Sequence, residues 1–313
     1  MVPPLSPKLK GYRRICSSPF RSWNATHGLP DSRTHRMNHT QDPPTQEPTI
    51  KTRVLASLIS AGRLGKSTVF GDGIIPWLDF AQVPWVAIDG DDVHRTLSQR
   101  HPARIKLTPV RDEATFLMVW KHSGNAPVEI CDLPAQQTPM FLNAFAKYGI
   151  VEVLARRGIR LTLFLFATHD DIAALQSAGM LAKFFGTNVD YVIVENPAVR
   201  PVGDFYKSPL ATHLLDRLAA KRLQLPAIDL FTMKEIHEQS KKAQRWLSFQ
   251  DAKDGLSDFA KTAIEYFQNR IMVQCEDIAD LLLPDVSLIK NRCVRTSGVK
   301  EFFGNDTDWS LIV

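Results

Sequence analysis

Residues 58–68 read "LISAGRLGKST". Gly65-Lys66-Ser67-Thr68 is the end of a phosphate-binding loop of the form G-x-x-x-x-G-K-[ST]. In such a loop backbone N–H groups and a helix N-terminus face a phosphate. The glycine that should open the pattern is Ser60, and Arg63 stands where small residues are preferred. Whether the altered loop still holds a phosphate depends on what surrounds it.

Upstream and downstream, short apolar runs alternate with longer amphipathic ones. The runs "RVLASLI" (53–59), "PWVAI" (84–88), "PVEIC" (127–131), "RLTLFLF" (160–166), "DYVIVE" (190–195) and "LPAIDL" (225–230) have strand length. They are nearly continuous in apolar residues, as parallel strands covered on both faces must be. Helical patterns fill 67–81, 111–121, 138–157, 170–185, 208–222 and 233–247, with two more near 255–271 and 275–283. The alternation predicts an α/β fold, a mostly parallel sheet with right-handed crossovers and helices on both faces. The first helix is the weakest of these, because Gly71, Gly73 and Pro76 fall inside it.

The chain has 313 residues and a net charge of +5. Residues 1–50 carry seven Lys/Arg against three acids, so that segment supplies nearly all of the excess. The charge is therefore weak evidence for a nucleic-acid partner. The same stretch lacks hydrophobic periodicity and reads as a disordered basic segment. Met37 is a plausible true start, with an Arg-rich transit peptide as the rival reading of residues 1–36. The expected domains are thus 1–50, a nucleotide-binding domain over 51–285, and a C-terminal tail over 286–313. Four scattered cysteines without a CxxC pair give neither a zinc site nor a disulfide framework. No apolar run approaches the roughly 20 residues of a membrane helix, and a cytoplasmic protein is expected.

Ligands on open parallel sheets bind beyond the carboxyl ends of the strands. The quoted loop is at that place, and two other strands end in acids. "AIDGDDVHRT" (87–96) puts Asp89, Asp91 and Asp92 at one strand end, and "VEICDLPAQQT" (128–138) puts Asp132 at another. An aspartate there suits a Mg²⁺ ion held beside a phosphate. The plainer readings are a solvated acidic turn and a helix cap by Asp132 or Thr138.

In this order, "SAGRLGKST", "VAIDGDD", "VEICDLPA" and "VIVENPA" resemble the deviant-Walker ATPases of the ParA/MinD group, over roughly 53–230. That group includes plasmid partition, septum-placement and plasmid stability or conjugal-transfer proteins. The resemblance implies a P-loop NTPase three-layer sandwich, with ATP and Mg²⁺ as cofactors. It places Gly62, Arg63, Gly65, Lys66, Ser67 and Thr68 around the phosphates, and Ser67 and Asp132 on Mg²⁺. It places Asp91, with Asp89 beside it, at the attacking water, and Asn196 and Pro226 at the adenine. It further implies a slow ATPase acting as a nucleotide-controlled switch, dimerising through its nucleotide face and meeting a partner protein. Ala61 stands where the group carries a signature lysine, and Arg63 offers a replacement charge, in cis or in trans. These departures leave a second reading, an interaction module that binds nucleotide without hydrolysing it. A third is a small-molecule kinase, because "IDGDDVHRTL" is similar to the "DGDNVR" segment of adenylylsulfate kinases.

Lys234, Lys241, Lys242 and Arg245 on the helix "MKEIHEQSKKAQRW" (233–246) would suit non-specific DNA, against a bland reading as a solvated face. Trp246, Phe249, Phe259, Tyr266 and Phe267 are expected to pack the C-terminal helices onto the core. His94, His169 and His237 have no ligand-like spacing and read as surface or strand-end residues.

Overall fold

The computed structural model describes residues 49–168, 170–199 and 201–293. The expectations for residues 1–48, for His169 and for the tail beyond 293 lie outside the described residues. Seven strands form one parallel sheet in the order β3-β2-β4-β1-β5-β6-β7. They are β1 Thr52–Ser57, β2 Trp85–Asp89, β3 Lys106–Leu107, β4 Val128–Asp132, β5 Ile159–Ala167, β6 Asp190–Glu195 and β7 Lys221–Gln224. Every residue of β1 and β4 is buried. Both faces of the central strands are therefore covered, which is why their sequences do not alternate. The α/β architecture expected from the sequence is the one the chain adopts.

The helices are α1 Lys66–Thr68, α2 Ile75–Phe80, α3 Thr96–Arg100, α4 Glu113–Lys121, α5 Thr138–Tyr148, α6 Ile150–Arg156, α7 Ile172–Phe185, α8 Pro209–Thr212, α9 Leu230–Ala243, α10 Phe249–Ala252, α11 Asp258–Asp277 and α12 Ala279–Leu282. α1 and α2 are joined by a π-helical stretch, Val69–Ile74, into one helix following the phosphate loop. The two glycines that weakened this helix in the sequence are packing residues. A Cβ on Gly73 would meet Ile271 of α11 at 2.4 Å, and one on Gly71 would meet Leu97 of α3 at 3.0 Å. The helix over 138–157 is divided at Gly149, whose φ of 54° is left-handed. Side-chain caps from Asp112, Asp171, Asp229 and Ser257 start α4, α7, α9 and α11.

Two assignments change. The last strand is "KRLQ" (221–224), not "LPAIDL" (225–230). Leu225 N–H still donates to Glu195 O at 2.8 Å, but Pro226 has no N–H to continue the ladder, and the chain leaves the sheet there. "KRLQ" is polar because it is an edge strand in which Leu223 is the buried residue. The helix before it accordingly stops early, as α8 continued by a π turn over His213–Arg217. α3 and β3 are additions, too short to leave a periodic trace. At the amino end of the sheet, Arg53 of β1 donates to Leu283 O at 3.2 Å and Asp280 O at 2.7 Å, which fastens the α12 region beneath β1. Among the described residues no helix is long and apolar enough to cross a membrane.

Candidate functional site

The sheet register brings the motif residues together. Ser57 at the tip of β1 pairs with Asp132 at the tip of β4, and Asp132 pairs with Asp89 at the tip of β2. The loop over 58–65 leaves β1 at this edge. Gly65 adopts a left-handed φ of 94°, and Arg63 a left-handed φ of 58°. Ser60, the substitute for the opening glycine, anchors the loop. Its N–H donates to Ser177 Oγ at 3.1 Å, its Oγ donates to Thr138 Oγ1 at 2.7 Å, and its carbonyl accepts from Gln136 N–H at 2.8 Å. Ala61 is only 5% exposed, whereas Gly62 and Arg63 face solvent. A Cβ on Gly62 would meet nothing within 4 Å.

Lys66 lies across the strand tips, its Nζ donating to Leu133 O at 2.9 Å. Burial lowers its pKa, and the carboxylates of Asp132, Asp91 and Asp89 oppose that shift. Ser67 Oγ donates to Asp132 Oδ2 at 2.5 Å. Burial pushes the Asp132 carboxyl up to about 6, against the pull of Lys66 and the Ser67 hydrogen bond. Asp132 is thus not a helix cap: Gln137 precedes α5, and the Thr138 hydroxyl is spent on Leu58 O and Ser60.

The two acids of the β2 tip differ. Asp89 is fully buried and accepts from Ser98 N–H at 2.8 Å, Ser98 Oγ at 2.9 Å and Asp91 N–H at 3.1 Å. Its pKa is raised by burial, and those hydrogen bonds restrain the rise. Asp91 is half-buried, and its Oδ1 accepts from Val93 N–H and His94 N–H, both at 3.0 Å. Asp92 faces outward in an exposed pair with Arg111.

Asn196, at the tip of β6, bears on the phosphate loop. Its Nδ2 donates to Leu64 O at 3.0 Å, and a Cβ on Gly65 would come within 2.4 Å of that nitrogen. Pro226 is half-buried in the turn after β7 rather than on the strand itself. Gly65→Ala should therefore both strain the backbone and displace Asn196. A left-handed non-glycine residue costs about 1–3 kcal/mol, which for a domain of this size lowers the melting temperature by several degrees. An unchanged melting curve for Gly65→Ala would contradict this packing.

The sequence did not point to Arg100 or Asp72. Arg100 Nη1 donates to Ser67 O and Thr68 Oγ1, each at 3.3 Å, and pairs with the buried Asp72. Two residues in "DGIIPW" and "TLSQR" runs give no spacing signal, because the contact joins separate elements. On α9, Lys234, Lys241 and Lys242 are exposed, but Arg245 is engaged with Gln99 O at 2.8 Å and with Asp251 at 3.0 Å. Phe249 and Phe267 pack as expected, with ring centroids 5.2 Å apart, whereas Trp246, Phe259 and Tyr266 are exposed. His94 and His237 are at the surface, as expected.

No family model matches this chain. No curated protein matches it either. Among solved structures, the chain is similar to FlhF complexed with GTP and Mg²⁺, at 13% identity over 59% of this chain and 69% of that one, with a TM-score of 0.37. It is similar to a ParA family ATPase from Chlorobium tepidum TLS, at 13% identity over 69% of this chain and 97% of that one, again with a TM-score of 0.37. Likenesses this distant assign neither family, base nor partner. The functional reading rests on the geometry of the strand tips.

Proposed function

We propose that the chain binds a Mg²⁺–nucleoside triphosphate at the loop over 60–68, with an adenine nucleotide as the preferred ligand, and turns it over slowly. The observation that carries this is the meeting of Lys66, Ser67 and Asp132 at adjacent strand tips, with Ser67 Oγ 2.5 Å from Asp132 Oδ2. The two are hard oxygen donors of the kind Mg²⁺ takes beside phosphate oxygens and water. Among the described residues no cluster of three or more His, Cys, Asp or Glu side chains could hold a metal. A site that borrows phosphate oxygens does not need one. When bound, Mg²⁺ would neutralise charge on the terminal phosphates.

The chain's own residues divide the work. Lys66 compensates phosphate charge. The backbone from Gly62 to Thr68 surrounds the phosphates. Asp91, with one carboxylate oxygen held by backbone N–H groups, positions the attacking water. Asp89, with three hydrogen bonds already accepted, holds the β2 tip in place rather than reacting. Asn196 braces the loop and marks the side from which a base would enter. On this reading the nucleotide state controls association with a second copy or a partner protein, in plasmid or mobile-element maintenance or transfer.

The second reading, binding without hydrolysis, is favoured by Ala61. A residue only 5% exposed, next to the pinned Ser60, presents nothing across a dimer. The two readings share the metal test. Asp132→Asn keeps an acceptor for Ser67 but loses the charge. Nucleotide affinity in the presence of Mg²⁺ should fall about tenfold, toward the wild-type value measured in EDTA. Calorimetric titrations in which Asp132→Asn remains as Mg²⁺-responsive as wild type would remove Asp132 from the metal site.

A further inference from the structure

α3 is five residues long, yet successive side chains and carbonyls of its final turn reach three different parts of the molecule. Ser98 donates twice to Asp89 at the tip of β2. Gln99 accepts from Arg245 Nη1 at its carbonyl (2.8 Å) and from Trp246 N–H at its Oε1 (3.1 Å). Arg100 donates to Ser67 O, to Thr68 Oγ1 and to Asp72, and His101 Nε2 lies 2.9 Å from Gly71 O. Asp72 closes the circuit, because its Oδ1 accepts from Phe249 N–H at 2.9 Å. The phosphate loop, the acidic tip of β2 and the segment 245–249 thus meet at one junction, which is buried at Arg100 and Asp72.

The composition of that junction is not explained by stability. Arg100 is 9% exposed and Asp72 1%. A buried ion pair is commonly no more stabilising than apolar side chains of the same size. Among the described residues the Arg100 Nε has no partner, so the guanidinium is placed to serve Nη1 at the cost of Nε. What Nη1 reaches is the backbone and hydroxyl of the two residues that follow Lys66. A fixed fork of this kind sets position. It also passes displacement onward, since Asp72 is held from the other side by Phe249.

We infer that Arg100 is a positioning residue of the phosphate loop, and that its pair with Asp72 couples occupancy of the loop to the segment 245–249, in which Leu247, Ser248 and Phe249 are buried and Trp246 is exposed. This rests on the nucleotide reading above, and the test separates the two. Trp246, 43% exposed and beside His237 at 5.8 Å between ring centroids, reports on that segment. The full chain is titrated with Mg²⁺–ATP and with Mg²⁺–GTP, following calorimetry and tryptophan emission, with Trp246→Phe to assign the signal. Nucleotide should shift the Trp246 emission of the wild type. Arg100→Gln alone leaves Asp72 buried without its cation and is liable to unfold. The charge-neutral Arg100→Gln/Asp72→Asn pair keeps polar partners, and its folding is checked by melting. That double variant should bind nucleotide about tenfold more weakly and lose the emission shift. Arg100→Lys should recover part of the affinity. Gln99→Ala, which removes the Oε1 contact to Trp246 N–H, is the control for the unliganded emission of the reporter and should leave affinity within about twofold.

A wild type that binds neither nucleotide overturns the nucleotide reading and this inference with it. A wild type that binds, with the double variant equal to it in affinity, overturns the positioning role and leaves the nucleotide reading standing. A wild type that binds with Trp246 emission indifferent to saturation overturns the coupling.

Discussion

Lys66→Ala is expected to weaken binding of a Mg²⁺–nucleoside triphosphate by roughly tenfold to a hundredfold. The lost group is a charged donor to phosphate, worth about 1.5–3 kcal/mol, and each 1.4 kcal/mol is about tenfold in affinity. The fold should survive. Among the described residues the side chain of Lys66 donates to Leu133 O and otherwise faces the carboxylates of Asp132, Asp91 and Asp89. The β1 and β4 strands that carry the site are held by their own ladder from Arg53↔Val128 to Ser57↔Asp132. Removing Lys66 does leave Asp132, Asp91 and Asp89 facing one another without their cation, so a modest loss of melting temperature accompanies the loss of binding. That repulsion also distinguishes the variant from an inert one, because added Mg²⁺ should restore part of the stability. Calorimetry giving equal affinity for wild type and Lys66→Ala would end the nucleotide reading altogether, whatever the loop's resemblance.

Much of this site was legible because its parts are local. A loop ending in Gly-Lys-Ser-Thr directly after a buried strand, and acids directly after two others, need only the parallel sheet to bring them together. The register places Ser57, Asp132 and Asp89 side by side. What was not legible depends on contacts between distant segments. Ser60 reads as a damaged glycine position until Ser177 and Thr138 are seen to hold it. Asn196 reads from the sequence as a base contact, and only the fold shows that its Nδ2 also braces the phosphate loop at Leu64 O. Arg100 leaves no pattern at all. The strand placed at "LPAIDL" shows the opposite failure. Within that run Leu225 is buried and Ile228 half-buried but Leu230 is 87% exposed, while the edge strand itself is polar and was passed over. The exposure of Trp246 and Phe259 has the same origin: aromatic content marks burial only on average.

Asp91→Asn is expected to abolish whatever turnover the wild type shows while leaving nucleotide affinity within about threefold. The asparagine keeps an oxygen for Val93 N–H and His94 N–H, so the turn that carries it is preserved. What it loses is the carboxylate charge that can take or orient a proton of water. A positioned acid–base group contributes roughly 10²–10⁴ in rate. Asp89→Asn is the comparison. Asp89 accepts from Ser98 twice and from Asp91 N–H, and it is fully buried. Its replacement should therefore appear first in the melting temperature and only secondarily in rate. Arg63→Gly separates the remaining question. Arg63 is exposed and left-handed, so glycine there relieves backbone strain. Any fall in turnover would then report a lost charge rather than a damaged loop. Measured by phosphate release under saturating nucleotide, Asp91→Asn at the wild-type rate would take Asp91 out of the chemistry. A wild type that binds nucleotide and releases no phosphate would instead favour the non-hydrolysing module, for which the buried Ala61 is the structural reason.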